Sequence, residues 1–251
     1  MALLIPTIIL FGEAPFREAP AWDYFLLLTS GVLGLGICDT LFFKSLNILG
    51  AGLSAIVVCL YSPTIIMLSI LFLGETLTLW QVIGATLIVS AVLLASFESN
   101  GSGIDRKEIL KGIAYGAVGQ LVNGIGIVMV KPLLSRSPVM WAAEIRLMGG
   151  AVAVPLMILL HRRRREIVKS IFSRHRWGYT VSSSITGAYL AMMLWLAGMK
   201  FTQASTASAL NQTSSIFVFV LAWLILKERV TIARVVGIVL AVGGAVLVTF
   251  G

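Results

Sequence analysis

Apolar residues in this chain gather into runs of about 20, the length that carries an α-helix across about 30 Å of hydrocarbon. The runs predict helices over 23–44, 52–73, 77–97, 110–131, 138–160, 178–199, 205–226 and 232–250. They are too uniformly apolar to be surface helices of a soluble bundle, which keep one polar face. Polar breaks between them are short except at 98–109 and 161–177. The first of these, from Glu98 to Ile109 with Gly101, Ser102 and Gly103, reads as a linker between halves.

The pattern repeats. Leu71-Phe72-Leu73-Gly74-Glu75 and Leu224-Ile225-Leu226-Lys227-Glu228 are 153 residues apart, and the register holds without a gap on both sides. Thr78 falls on Thr231, Gly84 on Gly237, Leu87 on Leu240, Leu94 on Leu247, Phe97 on Phe250, Leu41 on Leu194, Ala51 on Ala204 and Ser62 on Ser215. A fixed register over about sixty residues is an internal repeat and decides architecture. The same register places residues 1–8 on 154–161, the last turns of the helix at 138–160. The apolar stretch Met1–Phe11 is then half a span, closed by Gly12-Glu13-Ala14-Pro15, without the charged start and cleavage site of a signal peptide. The second half holds five helices and the first three and a half. The expectation is that about 45 residues are lacking before Met1, through a start further upstream or a truncated gene, and that a chain extended upstream is more stable. The fold class expected is an all-α polytopic membrane bundle of inverted five-helix repeats, the first incomplete: 1–97, a linker at 98–109, and 110–251.

Composition agrees: 58% of residues are hydrophobic and 12% charged, against about 25% charged in soluble domains. A net charge of +8 could suggest nucleic acid, but the basic residues are distributed as a membrane distributes them. One set of alternate loops holds fourteen Lys and Arg, including Arg162–Arg165; the other holds four, Arg17, Lys131, Arg136 and Lys200. The positive-inside rule places the rich set in the cytoplasm and the C-terminus outside. Equivalent loops differ in character: 12–22 is acidic and its partner 161–177 strongly basic. Units of five helices must alternate in orientation, so this asymmetry is what an inverted repeat requires. Cys38 and Cys59 lie inside apolar runs and read as packing residues, since no disulfide or metal spacing accompanies them.

The spaced pattern resembles the EamA-type domain of the drug/metabolite transporter superfamily. The resemblance rests on the small-residue-rich helices, the terminal Leu-x-Leu-x-Glu, the Gly-containing helices at Val82–Leu94 and Val235–Leu247, and Asp39-Thr40-Leu41-Phe42-Phe43-Lys44-Ser45-Leu46. It covers nearly the whole chain. It implies ten helices in an inverted five-plus-five arrangement, with a central pathway lined mainly by the third, fourth, eighth and ninth.

Candidate chemistry starts with ionisable residues inside spans, because a charge in hydrocarbon is expensive. Asp39 is a proton-coupling carboxylate or substrate contact, or else is hydrated or paired with Lys44. Glu144 and Arg146, two apart on a helix, diverge and do not pair with each other. Arg146 can snorkel to the surface, whereas Glu144 needs a partner on another helix, a proton or a water-filled cavity. Glu75 and Glu228 end spans and read as caps of the following helix N-terminus. Ser208, Asn211, Gln212 and Ser215 follow i, i+3, i+4, i+7 and share one helical face. Their register partners Ala55, Val58, Cys59 and Ser62 are mostly apolar. Four polar groups would be unsatisfied against lipid, so that face meets a pathway or serves as interhelical glue. Gln120 and Asn123 share another face. Tyr189 and Trp195, with Met192 and Met193, suit apolar or cationic solutes, or simple packing. Tyr61-Ser62-Pro63 interrupts a span, and interrupted helices mark transporter sites. The run His161–Arg165 reads as an orientation signal and secondarily as a contact for anionic lipid.

No phosphate loop GxxxxGK[ST], HExxH, CxxC pair or GxSxG elbow is present in the sequence. The chain therefore reads as no enzyme, with no cofactor, metal or ATP engine. The expected function is a secondary carrier in the inner membrane, exporting small metabolites or amphipathic drugs by alternating access. The competing reading is a truncated non-transporting remnant or membrane scaffold. Expected partners are a small-molecule substrate and the lipid bilayer, with a coupling proton and a second copy of the chain as further candidates, and no nucleic acid.

Overall fold

The structure, a computed structural model, describes residues 18–76, 78–96, 105–161, 164–171, 177–211, 213–227 and 231–250. Gln212, Glu228 and the half-span at 1–11 lie outside the described residues. Among the described residues the helical segments are, in order, α1 (Ala21–Val58), α2 (Tyr61–Leu73), α3 (Leu79–Ser96), α4 (Arg106–Arg136), α5 (Val139–Leu160), α6 (Arg164–Ile171), α7 (Trp177–Phe201), α8 (Ala204–Asn211), α9 (Thr213–Leu224) and α10 (Ile232–Phe250). No strand occurs among the described residues. The protein is an all-α polytopic membrane protein. Helices α1, α4, α5 and α7 are each long and apolar enough to cross a bilayer, and the other apolar helices are shorter.

Several boundaries differ from the sequence expectation. The 38 residues of α1 would span about 57 Å at 1.5 Å each, almost two bilayer cores. The helix is instead broken at Gly50, with φ 76° and ψ 176°, a conformation open essentially only to glycine. A second break follows at Cys59-Leu60. Pro63 has no N–H to give the Cys59 carbonyl four residues back, so that carbonyl accepts the Ser62 N–H at 3.2 Å instead. The expected span at 52–73 is thus an interrupted helix, and the described parts of its partner are α8 and α9, on either side of Gln212. The linker expected at 98–109 is helical from Arg106, and the loop at 161–177 contains α6. Within α1 and α7 the chain loosens to π-helix at Val32–Cys38 and Ser184–Ala191. The 153-residue register superposes these two segments with one residue to spare. Such wide turns mark functional positions more often than chance would place them there.

The described residues divide into two compact units, one within 1–36 and 129–201, the other within 37–128 and 202–251. In the second unit α3 packs along α10 through glycine: a Cβ on Gly84 would strike the Gly244 carbonyl, and one on Gly244 the Gly84 carbonyl. The register equivalents of Gly84 and Gly244 are Gly237 and Ala91, and a Cβ on Gly237 would lie 3.7 Å from the Ala91 carbonyl. The contact is therefore made twice with the partners exchanged, the mark of a two-fold relation. The Asp39–Val58 part of α1 packs on α9 while α8 packs on α2, again an exchange of equivalent elements. Leu49, Leu53, Ile56, Ile88, Ala91, Ile238 and Ala241 form the buried apolar core at this junction. Helix α4 lies close to the same chain through Gly116, against Val57 and Ser45, and Gly124, against Thr64 and Leu68.

In the first unit the start of α1 packs on α5, again through small residues: Gly31 faces the Arg146 carbonyl and Gly149 the Leu28 carbonyl. The ends of α4 and α7 brace each other. Lys131 on α4 donates to the Met199 carbonyl of α7, and Lys200 donates to the Ser137 carbonyl just past α4 at 2.8 Å. Each ammonium thus lies at the negative end of the other helix dipole. Arg136 completes the cluster with an ion pair to Asp23 at 2.7 Å. Apolar side chains far from these junctions are left uncovered, with Leu160 79% and Phe72 73% exposed. That is the surface a bilayer covers.

Candidate functional site

The sequence candidates fall into two groups, one in each unit. In the unit of 37–128 and 202–251, the interrupted helix presents Tyr61 and Ser62 buried at the start of α2. The Ser62 hydroxyl has no hydrogen-bond partner among the described residues, an uncommon state for a buried polar atom. Ser215, its register partner, is also buried. The Cys59 thiol donates to the Ala55 carbonyl at 3.3 Å. Ser208 is fully buried and donates to the Ser205 carbonyl of its own helix at 2.7 Å.

Of the polar face expected at 208, 211, 212 and 215, Ser208 bonds within its own helix, Ser215 is buried and Asn211 is exposed. Gln120 is buried and Asn123 half-buried, both on α4. Asp39 is half-buried and makes no ion pair among the described residues. The expected Lys44 pairing is absent, because the Lys44 ammonium sits 5.6 Å from the centre of the Tyr115 ring.

In the other unit, Glu144 and Arg146 point apart, as their spacing requires. Arg146 does not snorkel to the surface. It is 1% exposed, donates from a guanidinium nitrogen to the Ser30 hydroxyl at 2.5 Å, and lies 5.2 Å from the centre of the Trp195 ring. Close approach at Gly31 brings Ser30 into reach, since a larger residue there would hold α1 away from α5. A desolvated cation–π contact of this kind contributes about 2 kcal/mol. Glu144 is fully buried, and neither carboxylate oxygen has a hydrogen-bond partner among the described residues. Tyr189 is half-buried on α7. Trp195 is half-buried and carries the Arg146 guanidinium over its ring.

Glu75 behaves otherwise than expected. Its carboxylate accepts the Ala204 N–H at 3.1 Å and the Ser205 hydroxyl. It caps α8, and not the helix that follows it. The negative group sits on the positive end of that helix and satisfies a backbone donor. Sequence reasoning missed Ser30 as a partner of Arg146. The register offered one signal, since Ser30 falls on Ser183, but the contacts themselves are tertiary. No group of three or more His, Cys, Asp or Glu able to hold a metal occurs among the described residues.

The model of the EamA-like transporter family matches residues 1–97 and 110–250. The chain belongs to the EamA-like transporter family. It is a membrane transporter of the drug/metabolite type, with a small-molecule substrate, and not an enzyme. No curated protein matches its sequence. A solved crystal structure, described simply as that of a protein, superposes with a TM-score of 0.72 at 20% identity, over 99% of this chain and 82% of its own. That likeness shows the fold alone and carries nothing about substrate.

Proposed function

We propose that this chain is a secondary carrier of the inner membrane that exports small metabolites or amphipathic drugs by alternating access. The observation that carries the proposal is the exchange of equivalent contacts, Gly84 with Gly244 and Gly237 with Ala91, between helices of the two repeats. Halves related in this way can form two mirror-equivalent states of nearly equal energy, which is how inverted repeats open to either side. The repeats are assigned to 1–97 and 110–251, with 98–109 between them. The pathway is assigned to the interrupted helix with Tyr61 and Ser62, to Ser208, Asn211, Gln212 and Ser215, and to Gln120 and Asn123 on α4; Tyr189 and Trp195 are separate candidates in the other unit. Asp39 is the first candidate for proton coupling, since a half-buried carboxylate without an ion-pair partner can reach water; Glu144 and Arg146 follow.

The test is transport by the purified chain in proteoliposomes, with a panel of amino acids and cationic drugs. Asn211→Leu should cut flux at least fivefold while leaving the amount of folded protein unchanged, because an exposed leucine suits lipid. Unchanged flux per folded molecule would remove Asn211 from the pathway. Asp39→Asn keeps shape but loses the titratable proton, and should abolish flux driven by a pH gradient while sparing exchange of substrate. Full gradient-driven flux in Asp39→Asn would move coupling to Glu144.

A further inference from the structure

Helix α6 follows α5 after a short connection, and the two enclose a cleft of about 380 Å³ lined by Ile158, Leu159, Arg164, Arg165, Val168 and Lys169. The lining has two parts of different chemistry. Ile158 and Leu159 are the last apolar turn of a membrane-spanning helix, and Leu159 is 61% exposed. Val168 extends this apolar strip onto α6. The three cations stand on α6 beside it, all exposed. Arg164 reaches back to the Leu159 carbonyl at 3.5 Å, which ties α6 to the end of α5. Glu166, the one acid of α6, does not line the cleft. A hydrocarbon strip that ends at three positive charges, at the depth where a spanning helix leaves the bilayer, is complementary to a single kind of molecule. Its occupant needs an acyl chain and a negative headgroup joined at the membrane surface. A soluble anion would leave the apolar strip uncovered, and a neutral lipid would leave the cations unmatched.

We propose that the α5–α6 cleft is a binding site for one anionic phospholipid, its acyl chain along Ile158, Leu159 and Val168 and its phosphodiester over Arg164, Arg165 and Lys169. The site does not depend on the transport reading, nor on which side of the membrane α6 occupies. Its function is to seat the first turn after α5 on the bilayer surface.

The test uses the full chain, extracted from nanodiscs holding equal phosphatidylglycerol and phosphatidylcholine and examined by native mass spectrometry. The chain should retain one phosphatidylglycerol in preference to phosphatidylcholine. Each basic group near a membrane surface contributes about fivefold in affinity, so the triple variant Arg164→Gln, Arg165→Gln, Lys169→Gln should hold the lipid about a hundredfold more weakly. The control triple Arg106→Gln, Lys107→Gln, Lys111→Gln removes the same charge elsewhere and should change retention less than threefold. Leu159→Ser leaves every charge in place and should weaken retention severalfold. Millimolar glycerophosphoglycerol, the headgroup without its chains, should not displace the lipid. Equal loss in the two triple variants would reduce the effect to overall positive charge and overturn the site. Equal retention of phosphatidylcholine, or displacement by the soluble headgroup, would overturn it as well.

Discussion

Two residues at equivalent positions take the left-handed conformation, Gly74 with φ 67° and Lys227 with φ 53°. Each directly precedes the glutamate of the repeated Leu-x-Leu-x-Glu. Gly74 ends α2 in the usual way, and the Glu75 N–H then reaches back to the Ser69 carbonyl at 3.3 Å. A glycine adopts this geometry freely, whereas a residue with a Cβ is disfavoured there by about 1–2 kcal/mol. Lys227→Gly should therefore stabilise the chain by about 1 kcal/mol, and Gly74→Lys should destabilise it by a similar amount. Thermal unfolding in detergent reads both. A lowered midpoint for Lys227→Gly would mean that the lysine side chain matters more than the strain of its backbone. The glutamate motif and the end of the span were legible in the sequence, because both rest on local chemistry. The helix that Glu75 caps was not legible: Ala204 lies 129 residues away, and only packing brings it there. Arg146 is a similar case. Its burial was expected to be relieved by snorkelling, but Ser30 and Trp195 provide for it within the protein.

Among the helices, the apolar runs located the helical segments well, since span length is fixed by the bilayer, but they divided Ala21–Val58 between two spans. They could not show how a span is broken. Pro63 signalled one break, but Gly50 and the π-helical stretches at Val32–Cys38 and Ser184–Ala191 depend on tertiary packing that no run of hydropathy records. Of the polar face at 208–215, assigned by ideal helical spacing, Ser208 is bonded to its own helix and Ser215 is buried while Asn211 is exposed, environments that spacing alone does not supply. The α3–α10 contact makes a sharper claim. Gly244 has no room for a Cβ against Gly84 and Ile88, whereas Gly243, one residue earlier on the same helix, has nothing within 4 Å. Gly244→Ala should cost about 1–3 kcal/mol, the range for overpacking a close contact. Gly243→Ala should be neutral or slightly stabilising, because alanine is the better helix former. The pair is read by unfolding in detergent. Equal effects of the two would mean that the helices can move apart at no cost, and that the exchanged glycine contact does not hold the repeats together.

For the whole molecule the decisive property is the distribution of charge. Fourteen basic residues stand in one set of loops and four in the other. The structure gives the exceptions a separate cause. Lys131 and Lys200 are each bonded to a backbone carbonyl of the other's helix end, and Arg136 is paired with Asp23. These three are placed by packing, so the charges left to be sorted by the membrane are almost all on one side. The expected topology follows, with α6 in the cytoplasm and the C-terminus outside. A cysteine in place of Ser170, in a chain whose buried Cys38 and Cys59 are both replaced by serine, should react with an impermeant maleimide only when the reagent is admitted to the interior. Replacing Lys131 and Lys200 by glutamine should lower thermal stability, since two helix ends lose their partners, and leave that labelling pattern unchanged. If the double replacement instead inverted part of the population, the two lysines would count among the orienting charges after all. Labelling of position 170 from outside in the parent chain would reverse the orientation outright, and would make the four braced and scattered cations, not the basic run at 161–165, the ones that face the cytoplasm.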